Sequence, residues 1–167
     1  MTGVQTCALP IFISLLNHSS IEVRQGALLG VGLTCNGIYN PNEDLPLNTM
    51  FSTLSSPLTG SFTSGCTTYS AALLSLALSY ANTAKEEVIP YLLKGLKEGN
   101  LETAAAASIA SGLIFCGRRP EVLITPILEH LSHVNETTES QLNYLLIGFG
   151  LSMLYMVGSF IGVSLVG

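Results

Sequence analysis

Two histidines three residues apart, His130 and His133, with Glu129 beside the first, are the residues of this 167-residue chain best spaced for chemistry. On one turn of a helix they could offer two imidazoles to a metal, but a stable centre needs further ligands. None stands at a matching spacing. The four cysteines, Cys7, Cys35, Cys66 and Cys116, are too far apart in sequence for a zinc site or a disulfide framework. Ser64-Gly65-Cys66 could hold a nucleophile in a turn, yet no general base accompanies it, and it reads as loop sequence. Phosphate-binding loops, dinucleotide fingerprints, nucleophile elbows and metalloprotease helices are all missing. No catalytic, cofactor-binding or metal-ligating residue is assigned and no cofactor is expected. The chain reads as non-enzymatic, with a hydrolase built on Cys66 as the enzymatic alternative.

Acidic side chains are the better lead. Glu43, Asp44, Glu86, Glu87, Glu121 and Glu129 fall in segments that read as amphipathic helices forming one outer face. An acid in the first turn offsets the partial positive charge of a helix N-terminus. That accounts for Glu43, Asp44, Glu86, Glu87 and Glu121 without a partner, whereas Glu129 lies too far into its segment. The candidate partner-binding residues are Glu121, Glu129, Glu86 and Glu87. With 6 Lys+Arg against 11 Asp+Glu and a net charge of −5, no basic surface is available for nucleic acid.

The elements that must position these acids emerge from composition and internal repetition. Apolar residues make up 48% of the chain and charged ones 10%, Trp is absent and Gly numbers 16, which suits closely packed helices better than a sheet sandwich. Four segments superpose: Gly26–Leu33, Ala71–Leu78, Ala106–Leu113 and Tyr144–Leu151. Small residues recur at a first anchor (Gly30, Ser75, Ala110, Gly148) and a second (Gly32, Ala77, Gly112, Gly150), each second anchor being followed by Leu. Second anchors are 45, 35 and 38 residues apart, a period typical of helical arrays. Glycine inside a helix costs about 1 kcal/mol relative to Ala, so its recurrence implies a close backbone approach.

Between these inner helices, residues 42–56, 84–98 and 120–134 read as the second, outer helix of each pair. Asn40-Pro41-Asn42 and Arg119-Pro120-Glu121 are helix starts, and Gly99-Asn100 closes a helix at Glu98. Pro126 is expected to kink its helix. The Ser/Thr/Gly-rich stretch 55–68 reads as an inserted, exposed loop, while Cys35 and Cys116, just after the anchors, read as buried fillers. The expected fold is all-α: a helical-hairpin repeat solenoid of about three and a half repeats over residues 12–158.

Both ends depart from this pattern. Residues 1–11 match the translation of a common short-read sequencing adapter from a GTG start and are set aside as non-native. From Leu142 to Gly167 there is no charged residue, a length that meets the usual test for a membrane span. This supports an alternative reading as a multi-helix integral membrane protein. Glycines interrupt the run, however, and its first half matches the repeat, so a buried helix explains it and membrane association is not expected. Residues 159–167 match nothing upstream and read as an aberrant or truncated tail.

The stretches Val23–Leu33, Gly112–Gly117 and Gly148–Met156 resemble the proteasome/cyclosome repeat, and the likeness extends over residues 12–158. The resemblance implies a solenoid curving into part of a toroid, with small residues on inner helices and binding surface on outer ones. It implies a non-catalytic scaffold in the base of the 26S proteasome regulatory particle, in cytoplasm and nucleus. The implied partners are proteasomal ATPase subunits, other regulatory-particle subunits, and ubiquitin or the ubiquitin-like domains of shuttle receptors or a deubiquitinase. In the family the docking helix opens with an acid and carries more acids two and three turns later. Glu121 matches the first position; Leu128 and Ser132 stand at the later ones, with Glu129 adjacent.

Overall fold

The computed structural model describes residues 3–36, 45–55, 58, 64–133 and 138–156. Among them every regular element is helical: α1 (Gly3–Leu15), α2 (Ile21–Cys35), α3 (Leu45–Ser55), α4 (Ser64–Ser79), a 3-10 turn (Glu86–Val88), α5 (Ile89–Glu98), α6 (Leu101–Ile114), α7 (Glu121–Ser132) and α8 (Thr138–Leu154). Side-chain caps set two of the starts. Ser20 Oγ accepts from the Val23 N–H at 3.3 Å, and Asn100 Oδ1 accepts from the Thr103 N–H at 2.8 Å, each satisfying a donor that the first turn leaves without a partner. Pro90 occupies the first turn of α5, where its missing N–H costs nothing.

Helices α2, α4, α6 and α8 pack side by side in one row, and α3, α5 and α7 form a second layer against it, with α5 also touching α7. The row helices carry apolar and small residues on all sides. In α6, Thr103 to Ser108, Ala110 to Gly112 and Ile114 are all buried, as expected of a helix with neighbours all round. The core runs continuously through the row, from Leu28 and Val31 through Leu73 and Leu76 to Ile114, Ile147 and Leu154, and takes in Leu92, Leu96, Leu123 and Ile127 from the second layer.

Small residues set the spacing of the row. A Cβ on Gly32 would lie 2.6 Å from the Ser75 carbonyl oxygen; one on Gly112 would lie 2.7 Å from the Gly150 carbonyl oxygen; one on Gly150 would run into the Ser108 carbonyl. Backbone therefore rests on backbone at α2·α4 and α6·α8. Ser75 and Ser79 sit in the first of these contacts, and their buried hydroxyls donate to Leu28 O (2.5 Å) and to Ser75 O (3.0 Å). A hydroxyl needs such a partner to be buried without penalty. Ala77 and Ala110 are also fully buried. Gly30 is closed by the Phe12 ring of α1, 2.6 Å from its would-be Cβ.

Gly148 differs from the other anchors. A Cβ there would meet nothing within 4 Å, and Gly150 makes the close approach instead. By contact, Gly150 takes the place that Ser75 holds on α2, two residues later than the aligned segments imply. Other boundaries shift for local reasons. Residues 64–68, expected in a loop, form the first turns of α4, so Ser64-Gly65-Cys66 opens a helix; Ser and Gly both suit a helix start. The helix expected from residue 84 begins at Ile89, because Asn82 and Ala84 hold left-handed backbone (φ 58° and 53°). Helix α7 runs unbroken through Pro126, whose side chain is buried. Cys35 is buried, but Cys116 is only half-buried. Gly3–Leu15, most of it in the stretch set aside as non-native, is helical. Glu43, Asp44, Asn40-Pro41-Asn42, residues 56–57 and 59–63 of the expected loop, and the tail 159–167 lie outside the described residues.

The 142–167 run does not form one long helix within the described residues: α8 ends at Leu154. No helix among them is long and apolar enough to cross a membrane.

A candidate docking face on the second helical layer

Two kinds of hydrogen bond recur and hold the second layer in place. Lys94 Nζ, on α5, donates to Leu54 O in the last turn of α3 at 3.0 Å. His130 Nε2, on α7, lies 2.6 Å from Leu96 O in the last turn of α5, and because a carbonyl only accepts, that nitrogen carries the proton. Each basic side chain thus closes the carbonyl end of the preceding second-layer helix, where the helix dipole favours a donor. The turns after the row helices work in the opposite direction along the chain. Asn82 and Ala84 N–H groups donate to Leu113 O (2.8 Å) and Ile114 O (3.0 Å), and the Gly117 N–H donates to Met153 O at 3.2 Å. Gly117 and Arg119 repeat the left-handed pair of Asn82 and Ala84, at φ 72° and 50°.

These contacts leave α5 and α7 pointing the same way, since both ends joined through His130 and Leu96 are C-terminal. The four acidic candidates are all exposed. Glu86 and Glu87 border one shallow depression with Thr83, Ala84 and Lys85, at the start of the α5 segment. Glu121 opens α7, and Glu129 lies two turns on, about 12 Å along the axis at 1.5 Å per residue. The acids are therefore divided between the two ends of the layer. Glu129 borders a second depression, with Leu96, Lys97, Pro126, His130, His133 and Tyr144.

The outward face of α7 is the most distinctive surface of this layer. Glu121, Val122, Thr125, Leu128, Glu129 and Ser132 are all exposed, and their spacing places them on one side of the helix. Val122 (49% exposed) and Leu128 (48%) are large apolar side chains in water, one on either side of Thr125. An acid stands next to each. On α5, by contrast, the exposed residues include Lys97 and Glu98 but no large apolar side chain. The sequence drew attention to the acids and to Leu128 only as a missing acid; the apolar pair became visible once Leu123, Ile124 and Ile127 were seen to fill the buried side.

His130 is committed to Leu96, and the His133 carbonyl accepts from Tyr144 Oη at 3.1 Å, fastening α8 to the end of α7. Among the described residues no group of three or more potential ligands could hold a metal ion. Burial raises the Cys35 thiol above its ordinary range, opposed by a hydrogen bond with Thr34, which leaves it an inert filler at neutral pH. Comparison with known proteins found no match, either to a protein-family model or to a curated sequence.

Proposed function

We propose that the chain is part of a non-catalytic helical-repeat scaffold that binds partner proteins on its second-layer helices. In order and detail its sequence resembles non-ATPase subunit 1 of the 26S proteasome regulatory particle more than the paralogous subunit 2. In this reading the row of small-residue helices is the rigid inner wall of a solenoid. The recurring fastenings Lys94 to Leu54 and His130 to Leu96 support a repeated unit. The scaffold sits beside the ATPase subunits of the particle, in cytoplasm and nucleus, and serves ubiquitin-dependent degradation.

The observation that carries the docking role is the outward face of α7, where Val122 and Leu128 are exposed between Glu121 and Glu129. Such a face suits a small folded domain whose apolar patch has a basic rim, as ubiquitin and ubiquitin-like domains present. The apolar pair supplies the contact area, and the acids speed encounter and select against acidic partners. Titrating isotope-labelled ubiquitin, or a ubiquitin-like domain, with the 167-residue chain tests it by chemical-shift perturbation. Saturable binding is expected, weakened at least fivefold by the double variant Glu121→Arg/Glu129→Arg and abolished by Val122→Asp/Leu128→Asp. Binding that both variants leave unchanged removes this face from the proposal.

A further inference from the structure

A proline divides the outward face of α7. Pro126 has no N–H, so the Val122 carbonyl loses the helical hydrogen bond that would tie it to residue 126, and the pyrrolidine ring crowds the same carbonyl. The residue before a proline is also pushed away from helical backbone; here it is Thr125, at the middle of the face. Glu121 and Val122 stand on one side of the missing bond, Leu128 and Glu129 on the other. Each half has its own seat. Leu123 and Ile124 bury the first half in the core, and the Pro120 carbonyl accepts from the N–H groups of both. In the second half Ile127 is buried, His130 Nε2 donates to Leu96 O at 2.6 Å, and the His133 carbonyl accepts from Tyr144 Oη. Helix α7 nevertheless runs unbroken from Glu121 to Ser132.

We infer that His130 is a positioning residue for docking: its bond to the end of α5 keeps the two halves of α7 in line across Pro126, so that Val122 and Leu128 present one surface. The inference rests on the docking role proposed for α7. A helix bends at a proline unless its neighbours hold it, and His130 stands four residues after Pro126, one turn on and on the same side of the helix. Leu96, Pro126, Glu129 and His130 border one depression, so the bond spans the open space into which the second half can tilt. Such a tilt would carry Glu129 and Leu128 out of line with Glu121 and Val122. The preceding second-layer segment has the same spacing, with Pro90 four residues before Lys94, whose Nζ donates to Leu54 O. There the chain does change beside the proline, from the 3-10 turn Glu86–Val88 to an α-helix that starts at Ile89. In α7 both apolar residues of the face depend on the helix continuing through.

Isotope-labelled ubiquitin titrated with the 167-residue chain and its variants tests the inference by chemical-shift perturbation. His130→Leu should weaken binding at least fivefold while circular dichroism shows unchanged helicity, because Leu96 O borders the depression and water there replaces the lost donor. His130→Lys should bind as the parent chain does, since Lys94 makes the same kind of bond from α5. Pro126→Ala restores the missing N–H, and in that background His130→Leu should weaken binding less than twofold. A bond that merely stabilises the fold would lower the urea midpoint equally in both backgrounds and leave the affinity of the folded chain alone. Unchanged affinity in His130→Leu, or an equal loss with and without Pro126→Ala, would overturn the inference while the docking reading stands. A parent chain that binds no ubiquitin would overturn both together.

Discussion

Helices α6 and α8 are built from similar residues and meet each other, yet α6 is enclosed and α8 is enclosed on one side alone. Helix α6 places Ala and Ser where its neighbours press, and its exposed first turn carries Glu102. Helix α8 buries Ile147, Gly150 and Leu154 but shows Leu142, Leu145 and Phe149 to solvent. In a closely packed row the same glycine chemistry has two meanings. Where a backbone lies against it, as at Gly150, the glycine is required; at Gly148 an added Cβ would meet nothing within 4 Å.

That contrast can be broken most forcefully at the closed contact. Gly150→Leu drives a side chain into the Ser108 backbone, and backbone cannot yield as a flexible side chain can. A loss of about 3 kcal/mol is expected, read as a lower midpoint in urea unfolding. Ile147 and Phe149, two residues apart, separate the two sides of one helix. Ile147→Ala should cost about 3 kcal/mol, because the side chain is fully buried, whereas Phe149→Ala should stay within about 0.5 kcal/mol in dilute solution. Equal effects would mean that α8 is not oriented as described. Gly148→Ala should raise stability by roughly 0.5–1 kcal/mol in the isolated chain through helix propensity, whereas Ala at Gly150 should lower it.

The smallest effect at neutral pH concerns Tyr69, inside the closed part. Burial, and after it the charge of Glu98 and the neighbouring Tyr91, hold its phenol well above the ordinary value of 10.0. The folded state therefore keeps a proton that the unfolded state releases. This contribution is complete below about pH 10 and is lost as the pH rises through the alkaline range. Tyr69→Phe should flatten the fall in stability above pH 10 while removing the hydrogen bond to Tyr91 O, 2.8 Å. A fall of the same steepness in the variant would assign it to other groups.

Helix content and the alternation of row and second-layer helices were legible because periodicity and helix starts are local properties. Glu121 after Pro120, and Asn100 after Gly99, mark boundaries by chemistry that acts within one turn. The loop expected over 55–68 was too long because Ser, Thr and Gly suit a helix start as well as a loop, and composition does not distinguish them. The start of α5 was misplaced because Ala84 has no intrinsic reason to adopt φ 53°. Its N–H turns toward Ile114 O, 30 residues away in sequence. The acids were visible as candidates, but their division between the two ends of the second layer was not.

By itself the sequence determined an all-helical chain with small residues at recurring places and acids on the alternate helices. Those features depend on side-chain size, backbone propensity and spacing along a turn. Only the tertiary structure decided which glycines are pressed by a neighbour, that His130 closes the end of α5, and that α7 surrounds an exposed apolar pair with its acids. Each of these depends on what lies across from a residue. A two-residue shift in helix register turns a side chain by about 200°, enough to exchange Gly148 for Gly150 at the closest contact in the row.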